Sequence, residues 1–292
     1  MKQAYNSLHL STQNKERLEQ INSIIEEYRA QGYILTLRQL YYQLVSRGII
    51  ENKVAEYRNL SAILGKGRMA GIVDWDAIED RTRVPMIQYS ADNPKDAIYD
   101  IINQYKVDRM RDQDVYLEIF VEKDALSGVL SRIANKYHIK LMVNKGYSSI
   151  SAMHDSALRW IDASKRGKTS YLLYVGDHDA SGIDMIRDIK DRFSEFGADV
   201  KIKHIALLDE QIEKYNPPPN PTKLSDPRAA TYIKKYGKTC WEVDALKPEL
   251  LNSLVENQIV SLIDINKFNE NLEQEKRDIE QLKEIYYDLG DE

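Results

Sequence analysis

The chain has 292 residues, enough for about two domains and a substantial buried core. Hydrophobic residues make up 42% and charged residues 30%, with 13 glycines and 8 prolines, which is an ordinary globular composition and excludes collagen-like and disordered classes. The net charge of −5 argues against a generic polyanion binder, but Phe268 to Glu292 alone carries nine acids and three bases, so the remainder, with 38 bases and 37 acids, stands at +1.

No run of roughly 18 apolar residues occurs, and the N-terminal MKQAYNSLHLSTQNKER lacks the apolar segment of a secretory signal. A cytoplasmic protein with no membrane association is therefore expected. The single cysteine, Cys240, excludes an intramolecular disulfide and a thiolate zinc cluster, so any metal must be held by oxygen or imidazole.

Helical periodicity dominates the first third. Leu18, Ile21, Ile24, Ile25 and Tyr28 share one stripe, and Gly32 closes the segment. Thr36 reads as the N-cap of a second helix, in which Leu37, Leu40, Tyr41, Leu44 and Val45 form the apolar face and Gly48 the stop. A third helix is predicted from about Val54 to Leu64. The glycines of GKGRMAG (Gly65, Gly67, Gly71) read as loop, and GIVDWDAIEDRTR reads as a short β-wing. Three short helices and a wing give a winged helix-turn-helix, a DNA-binding arrangement. Lys53, Arg58, Lys66 and Arg68 against the single acid Glu56 form a local basic excess that could face phosphates; for such a run alone a solvated helix face is the simpler reading.

From Asp114 a βα alternation begins: strands at 115–121, 139–143, 169–175 and 198–207, with helices from about Asp124 to Tyr137, Ser149 to Ser164 and Gly182 to Phe196. The pattern predicts an α/β fold with a mainly parallel, Rossmann-like sheet covered on both faces. PPPNP (217–221) reads as a stiff extended link, followed by a Tyr-rich helical region and a polar helix from about Leu254 to Tyr287. The division expected is a helical and winged-helix domain over 1–110, and an α/β domain with a C-terminal helical extension over 111–292.

Two strand ends carry acids: Glu122 follows VYLEIFV, and Asp177 and Asp179 follow TSYLLYVG in GDHDASG. Open α/β sheets bind ligands beyond the carboxyl ends of their strands. Alternation in extended backbone puts Asp177 and Asp179 on one side and His178 on the other. Clustered carboxylates repel one another, and a hard divalent cation, by default Mg²⁺ (or Mn²⁺), relieves this. An isolated Asp-x-Asp is as readily an Asx-turn and helix N-cap. Gly146, in NKGYSSI, would let backbone approach a ligand at the same edge, or simply make a tight turn.

On the second helix Tyr41 falls inside the Leu37/Leu40/Leu44 stripe, whereas Tyr42 lies off its edge, four residues after Arg38 on a shared face. A guanidinium beside a phenol favours the phenolate and also binds phosphate. The alternative is a surface tyrosine lying along its helix.

Taken together, TLRQLYY, FVEKDAL, KGYSS and GDHDASG closely resemble the A subunit of topoisomerase VI and the related meiotic double-strand-break protein, over roughly Thr36 to Leu207, with CWEVDAL resembling the stretch that follows. The resemblance implies a winged-helix domain carrying a nucleophilic tyrosine, followed by a Toprim domain. Carried over, Tyr42 is the nucleophile, Arg38 its helical neighbour, Glu122 the Toprim glutamate, a metal ligand or general acid, and Asp177 and Asp179 the metal-binding pair. The family usually reads Asp-Pro-Asp and then Tyr-Gly where this chain has Asp177-His178-Asp179-Ala180-Ser181-Gly182, and Ser148 stands where a proline often occurs. Both departures point to a diverged, standalone version.

The expected activity is Mg²⁺-dependent cleavage of double-stranded DNA by tyrosine transesterification, as in a type IIB topoisomerase A subunit. The rivals are a hydrolytic Toprim nuclease and a non-catalytic winged-helix DNA binder. The resemblance also implies a homodimer, in which the tyrosine of one subunit works against the metal of the other. The chain has no P-loop, so strand passage would call for a separate ATPase subunit.

Overall fold

A computed structural model describes residues 2–5, 10–79, 88–144 and 150–289. Helix α1 (Thr12–Ala30) starts at Ser11, whose side chain accepts from the Asn14 amide, and buries Leu18, Ile21, Ile24, Ile25 and Tyr28, the stripe read from the sequence. Strand β1 (Leu35–Thr36) leads into α2 (Leu37–Ser46), where a capping box joins Thr36 and Gln39. Helix α3 spans Val54–Met69, so Gly65 and Gly67, read as loop, lie inside it. Gly67 is required there because a Cβ would come within 2.6 Å of Leu18 Cδ2 and 2.9 Å of Val73 Cγ2. Of the three glycines only Gly71 adopts positive φ, at +70°.

Residues 71–79 form a turn, a 3-10 turn over Trp75–Ala77 and β2 (Ile78–Glu79), which pairs parallel to β1. The described part of the expected wing is therefore not an antiparallel hairpin, and positions 80–83 of that segment lie outside the described residues. Helix α4 (Pro94–Gln104) packs on the C-terminal helix.

The central sheet holds four parallel strands in the order β4-β3-β5-β6, with β3 Val115–Val121, β4 Lys140–Val143, β5 Thr169–Val175 and β6 Lys201–Ala206. Alternate strand residues supply two cores. Leu117, Ile119, Val121, Leu173 and Val175 face α5 (Ser127–Tyr137) and α10 (Pro248–Val260). Phe120, Leu172 and Tyr174 face Trp160 of α6 (Ile150–Lys165) and Met185, Ile189 and Phe193 of α7 (Ala180–Glu195). Burial on both faces is why the strands read as nearly continuous apolar runs.

Beyond β6 come α8 (Asp209–Tyr215), an antiparallel pair of β7 (Pro219–Pro221) and β8 (Thr239–Trp241), and α9 (Ala229–Tyr236) between them. The proline link is thus an edge strand. The predicted C-terminal helix is two: α10 ends at Val260, and Asp264 caps α11 (Ile265–Asp288) by accepting from the Asn266 and Lys267 amides. The order 4-3-5-6 places the topological switch between β3 and β5, where a crevice opens at the strand ends.

Helix α2 closes over that crevice. It packs on the 3-10 turn Val243–Ala245, and Ala245 joins the N-terminal core. Asn252 of α10 donates to the Tyr33 hydroxyl at 3.0 Å, and Arg132 of α5 to the Gln31 carbonyl at 3.1 Å. No described helix is long and apolar enough to cross a membrane.

Candidate functional site

Both tyrosines of α2 are buried, Tyr41 and Tyr42 each at 5% exposure. The expectation that Tyr42 sits off the apolar face counted one packing partner; α2 has a second, the Val243–Ala245 turn, and Tyr42 lies between the two. The Tyr41 hydroxyl donates to Asn52 Oδ1 at 3.0 Å and to the Lys53 carbonyl at 3.2 Å. The Tyr42 hydroxyl has no hydrogen bond among the described residues, and the side chain lines an open cleft.

Arg38 does share a face with Tyr42, its guanidinium carbon 5.8 Å from the ring centre. It is nevertheless committed elsewhere, donating to Asp244 Oδ2 at 2.6 Å and to Glu242. The expected activation of the phenol is reversed. Burial pushes the Tyr42 pKa well above its ordinary value, Asp244 and Glu242 push it further, and the opposing pull of Arg38 and Lys123 is smaller.

At the sheet, Glu122 continues the end of β3, its amide donating to the Val175 carbonyl at 2.9 Å, and its Oε2 accepts from the Asp177 amide at 3.0 Å. Asp177 is buried; its Oδ1 accepts from the Val243 amide at 2.9 Å and its Oδ2 lies 2.7 Å from Lys123 Nζ. Asp179 is the N-cap of α7, accepting from Gly182 at 2.7 Å, and Gly182 is needed because a Cβ would meet the Asp177 carbonyl oxygen at 2.2 Å. Asp179 therefore has the capping role that the simpler reading of Asp-x-Asp allowed.

His178 points away from its flanking acids, as alternation required. Its Nδ1 is 2.8 Å from the Tyr232 hydroxyl and its Nε2 3.0 Å from Asp209, with the rings of Tyr236 and Trp241 against it. Backbone bonds in both directions between His178 and Trp241 tie this loop to β8.

The carboxylates that the fold brings within 4.8 Å of one another are Asp177, Glu242 and Asp244, a buried triad that could hold a metal ion. Lys123 stands among them, paired with Asp177, Glu242 and Asp244. Burial raises Asp177 well above the usual carboxylate range despite Lys123, and raises Glu122 as well. Burial acts in the same sense on Glu242, but Lys123 and Arg38 outweigh it and hold that residue below its ordinary value.

Glu122, Asp177, Asp179, Glu242 and Asp244 are five carboxylates against two cations, Lys123 and Arg38, leaving three negative charges in excess. An all-oxygen donor set with surplus negative charge and raised carboxyl pKa values fits a hard divalent cation. Sequence reasoning missed Lys123, Glu242 and Asp244. Lys123 adjoins Glu122, and the alternate acids of WEVDAL repeat the spacing of the Asp177 pair.

Of the four candidate phosphate contacts, Arg58 and Lys66 are exposed on α3. Lys53 is exposed but pairs with Glu51, and Arg68 donates to the Trp75 and Ile78 carbonyls at 3.0 and 2.8 Å, so it holds the loop after α3. Gly146 lies outside the described residues.

The two halves of the site meet in one cleft of about 470 Å³, whose walls include Arg38, Tyr42, Asp179 and Glu242. Comparison with protein-family models, with curated proteins and with solved structures finds no match for this chain.

Proposed function

We propose that this protein cuts a DNA strand by transesterification, with Tyr42 as nucleophile and Mg²⁺ or Mn²⁺ held by the strand-end carboxylates of a Toprim-like sheet, under a winged-helix-like N-terminal unit. The observation that carries the reading is the single cleft: a tyrosine hydroxyl with no hydrogen-bond partner among the described residues opens into the same space as the carboxylates of two segments more than a hundred residues away.

In this reaction the Tyr42 phenol gives its proton to water in the open cleft, its oxygen bonds to phosphorus, the bond to the 3′-oxygen breaks, and the leaving oxygen takes up a proton. The products are a 5′-phosphotyrosyl link and a free 3′-hydroxyl. Glu122, whose raised pKa keeps it protonated further toward neutral pH than an ordinary glutamate, supplies that proton as general acid. Asp177, Glu242 and Asp244, with Asp179 beside Glu242 on the cleft wall, would hold the cation, which when bound neutralises charge on the phosphate oxygens.

Tyr42, Asp179 and Glu242 line one cleft of a single chain, which supports a reading in which each chain makes one cut with its own tyrosine, instead of across the dimer as the resemblance implied, and a homodimer makes two. The raised pKa of Tyr42 favours the rival in which water attacks. One experiment separates them. Protein is incubated with end-labelled duplex and Mn²⁺, quenched with denaturant and resolved on a gel. Label that migrates with protein, and is lost in Tyr42→Phe, supports transesterification; cut ends free of protein, equally abundant in Tyr42→Phe, make water the nucleophile.

A further inference from the structure

The cleft is larger than a phosphate requires. At about 470 Å³ it lies in the range that encloses a whole small molecule. Tyr57 and Trp241 line it and are half-buried, so each keeps ring surface for a planar group. Tyr57 is held edge-on to Tyr41, with ring centres 5.3 Å apart.

The β7 side offers hydrogen-bonding groups. Thr222 is 8% exposed, and its Oγ1 has no hydrogen-bond partner among the described residues. The Nδ2 of Asn220 is also buried and unpartnered, whereas its Oδ1 accepts from Asn52 Nδ2 at 2.7 Å, which leaves the amide NH₂ as its unused end. Buried donors without acceptors are unfavourable; both residues line the cleft, and rotation of their side chains toward a planar ligand with acceptors along one edge relieves both. Lys223, next in the chain, is exposed at the mouth and has no ion pair among the described residues.

Ring faces, two donors seeking acceptors, a free cation and the Tyr42 hydroxyl together match a nucleotide. We propose that the cleft receives one nucleotide, presented as an unstacked base of DNA or as a free nucleotide, with its base on Tyr57 and Trp241 and its acceptor edge on Asn220 and Thr222. The DNA form of this proposal rests on the cleavage reading and adds that the base beside the scissile phosphate leaves the helix. Such extrusion is easiest at a mismatch.

The test uses the full chain and three probes: a fully paired duplex, the same duplex with one T·T mismatch, both followed by fluorescence anisotropy, and thymidine monophosphate followed by saturation-transfer NMR. A mismatch preference of about tenfold is expected, falling toward parity in Thr222→Val, which keeps shape and removes the hydroxyl, and in Tyr57→Ser. Equal binding of both duplexes, with no signal from thymidine monophosphate, overturns the nucleotide pocket and leaves the cleavage reading standing. A thymidine monophosphate signal that Thr222→Val removes, with neither duplex bound, upholds the nucleotide chemistry, assigns it to the free form and sinks the DNA reading. No binding of any probe overturns both.

Discussion

Lys123 Nζ lies 2.7 Å from Asp177 Oδ2, so the residue next to Glu122 supplies a built-in cation to the carboxylates at the strand ends. The same ammonium contacts Glu242 and Asp244. Removing it leaves buried acids with Arg38 as their one remaining cation, and losing one partner of a buried ion pair costs about 3 kcal/mol or more. Lys123→Met should therefore lower stability by about 3 kcal/mol in EDTA, and Mg²⁺ or Mn²⁺ should restore most of it. Urea unfolding with and without the ion measures this. A variant as stable as wild type in EDTA contradicts the role given to Lys123.

The carboxyl group of Asp177 titrates above its ordinary value of 3.8 because it is buried. A group whose pKa is raised on folding contributes stability below its unfolded pKa and loses that contribution as pH rises through the folded value. The cation-free protein thus tolerates the Asp177 charge less well at higher pH. Asp177→Asn, which keeps an acceptor for the Val243 amide, should gain stability relative to wild type as pH rises from about 3.8, the ordinary value, toward neutrality when both are unfolded in EDTA. A constant difference across that range contradicts the assignment.

Tyr41 and Tyr42 should respond differently to loss of the hydroxyl. Tyr41→Phe forfeits the bonds to Asn52 and the Lys53 carbonyl, at about 1 kcal/mol, while still forming adduct. Tyr42→Phe should unfold like wild type and form none. Because the phenol of Tyr42 titrates well above neutrality, adduct formation by Glu122→Gln, which removes the opposing titration of the general acid, should rise about tenfold per pH unit from pH 7 to 9, in step with the phenolate fraction. A flat profile would mean that a step other than attack by Tyr42 is being measured.

If α3 meets duplex DNA, Arg58 and Lys66 are the side chains positioned to touch phosphates, since Lys53 and Arg68 are engaged within the protein. Arg58→Ala with Lys66→Ala should flatten the log–log salt dependence of binding by about 1.8, at roughly 0.9 per contact. Lys53→Ala with Arg68→Ala should change the slope much less. Equal effects of the two pairs would place all four on the DNA.

His204, on β6 and not among the residues that line the cleft, offers a control. Burial pushes its pKa down to about 4, against the backbone bond at Ala206; the charge of His178 adds to the lowering and Asp209 opposes it. Its contribution is present above the unfolded value near 6.5 and is lost as pH falls through the folded value. About 2 kcal/mol should disappear between pH 6.5 and 4 in wild type and not in His204→Phe, as read by urea midpoints. Parallel midpoint curves for the two proteins would contradict it.

What the sequence revealed follows from what is local. The stripe of α1, the cap of α2 and the alternation of buried strands with helices are properties of a few consecutive residues, and all are present. Gly67 misled because its helical position is set by the approach of Leu18 and Val73, contacts no window along the chain contains. The site divides the same way. Glu122 and Asp177 were legible as strand ends, and they touch. Glu242 and Asp244 were not, because only the return of β8 past His178 brings them back to the sheet. Lys123 was hidden by alternation, which separates it from Glu122. The two residues do take different sides of Asp177, one on its amide and the other on its carboxylate.

The ion pair between Arg38 and Asp244 joins residues 206 positions apart. At about 5–20 residues per second of synthesis, Arg38 leaves the ribosome roughly 10–40 s before its partner exists. Throughout that interval the Arg38 guanidinium and the Tyr42 face lack the Val243–Ala245 turn that covers them in the complete chain. The cleft is therefore completed only after four fifths of the chain has been made, and a chain released before Trp241 lacks the carboxylates of Glu242 and Asp244 opposite Tyr42. Premature termination before that point yields a chain that cannot assemble the site.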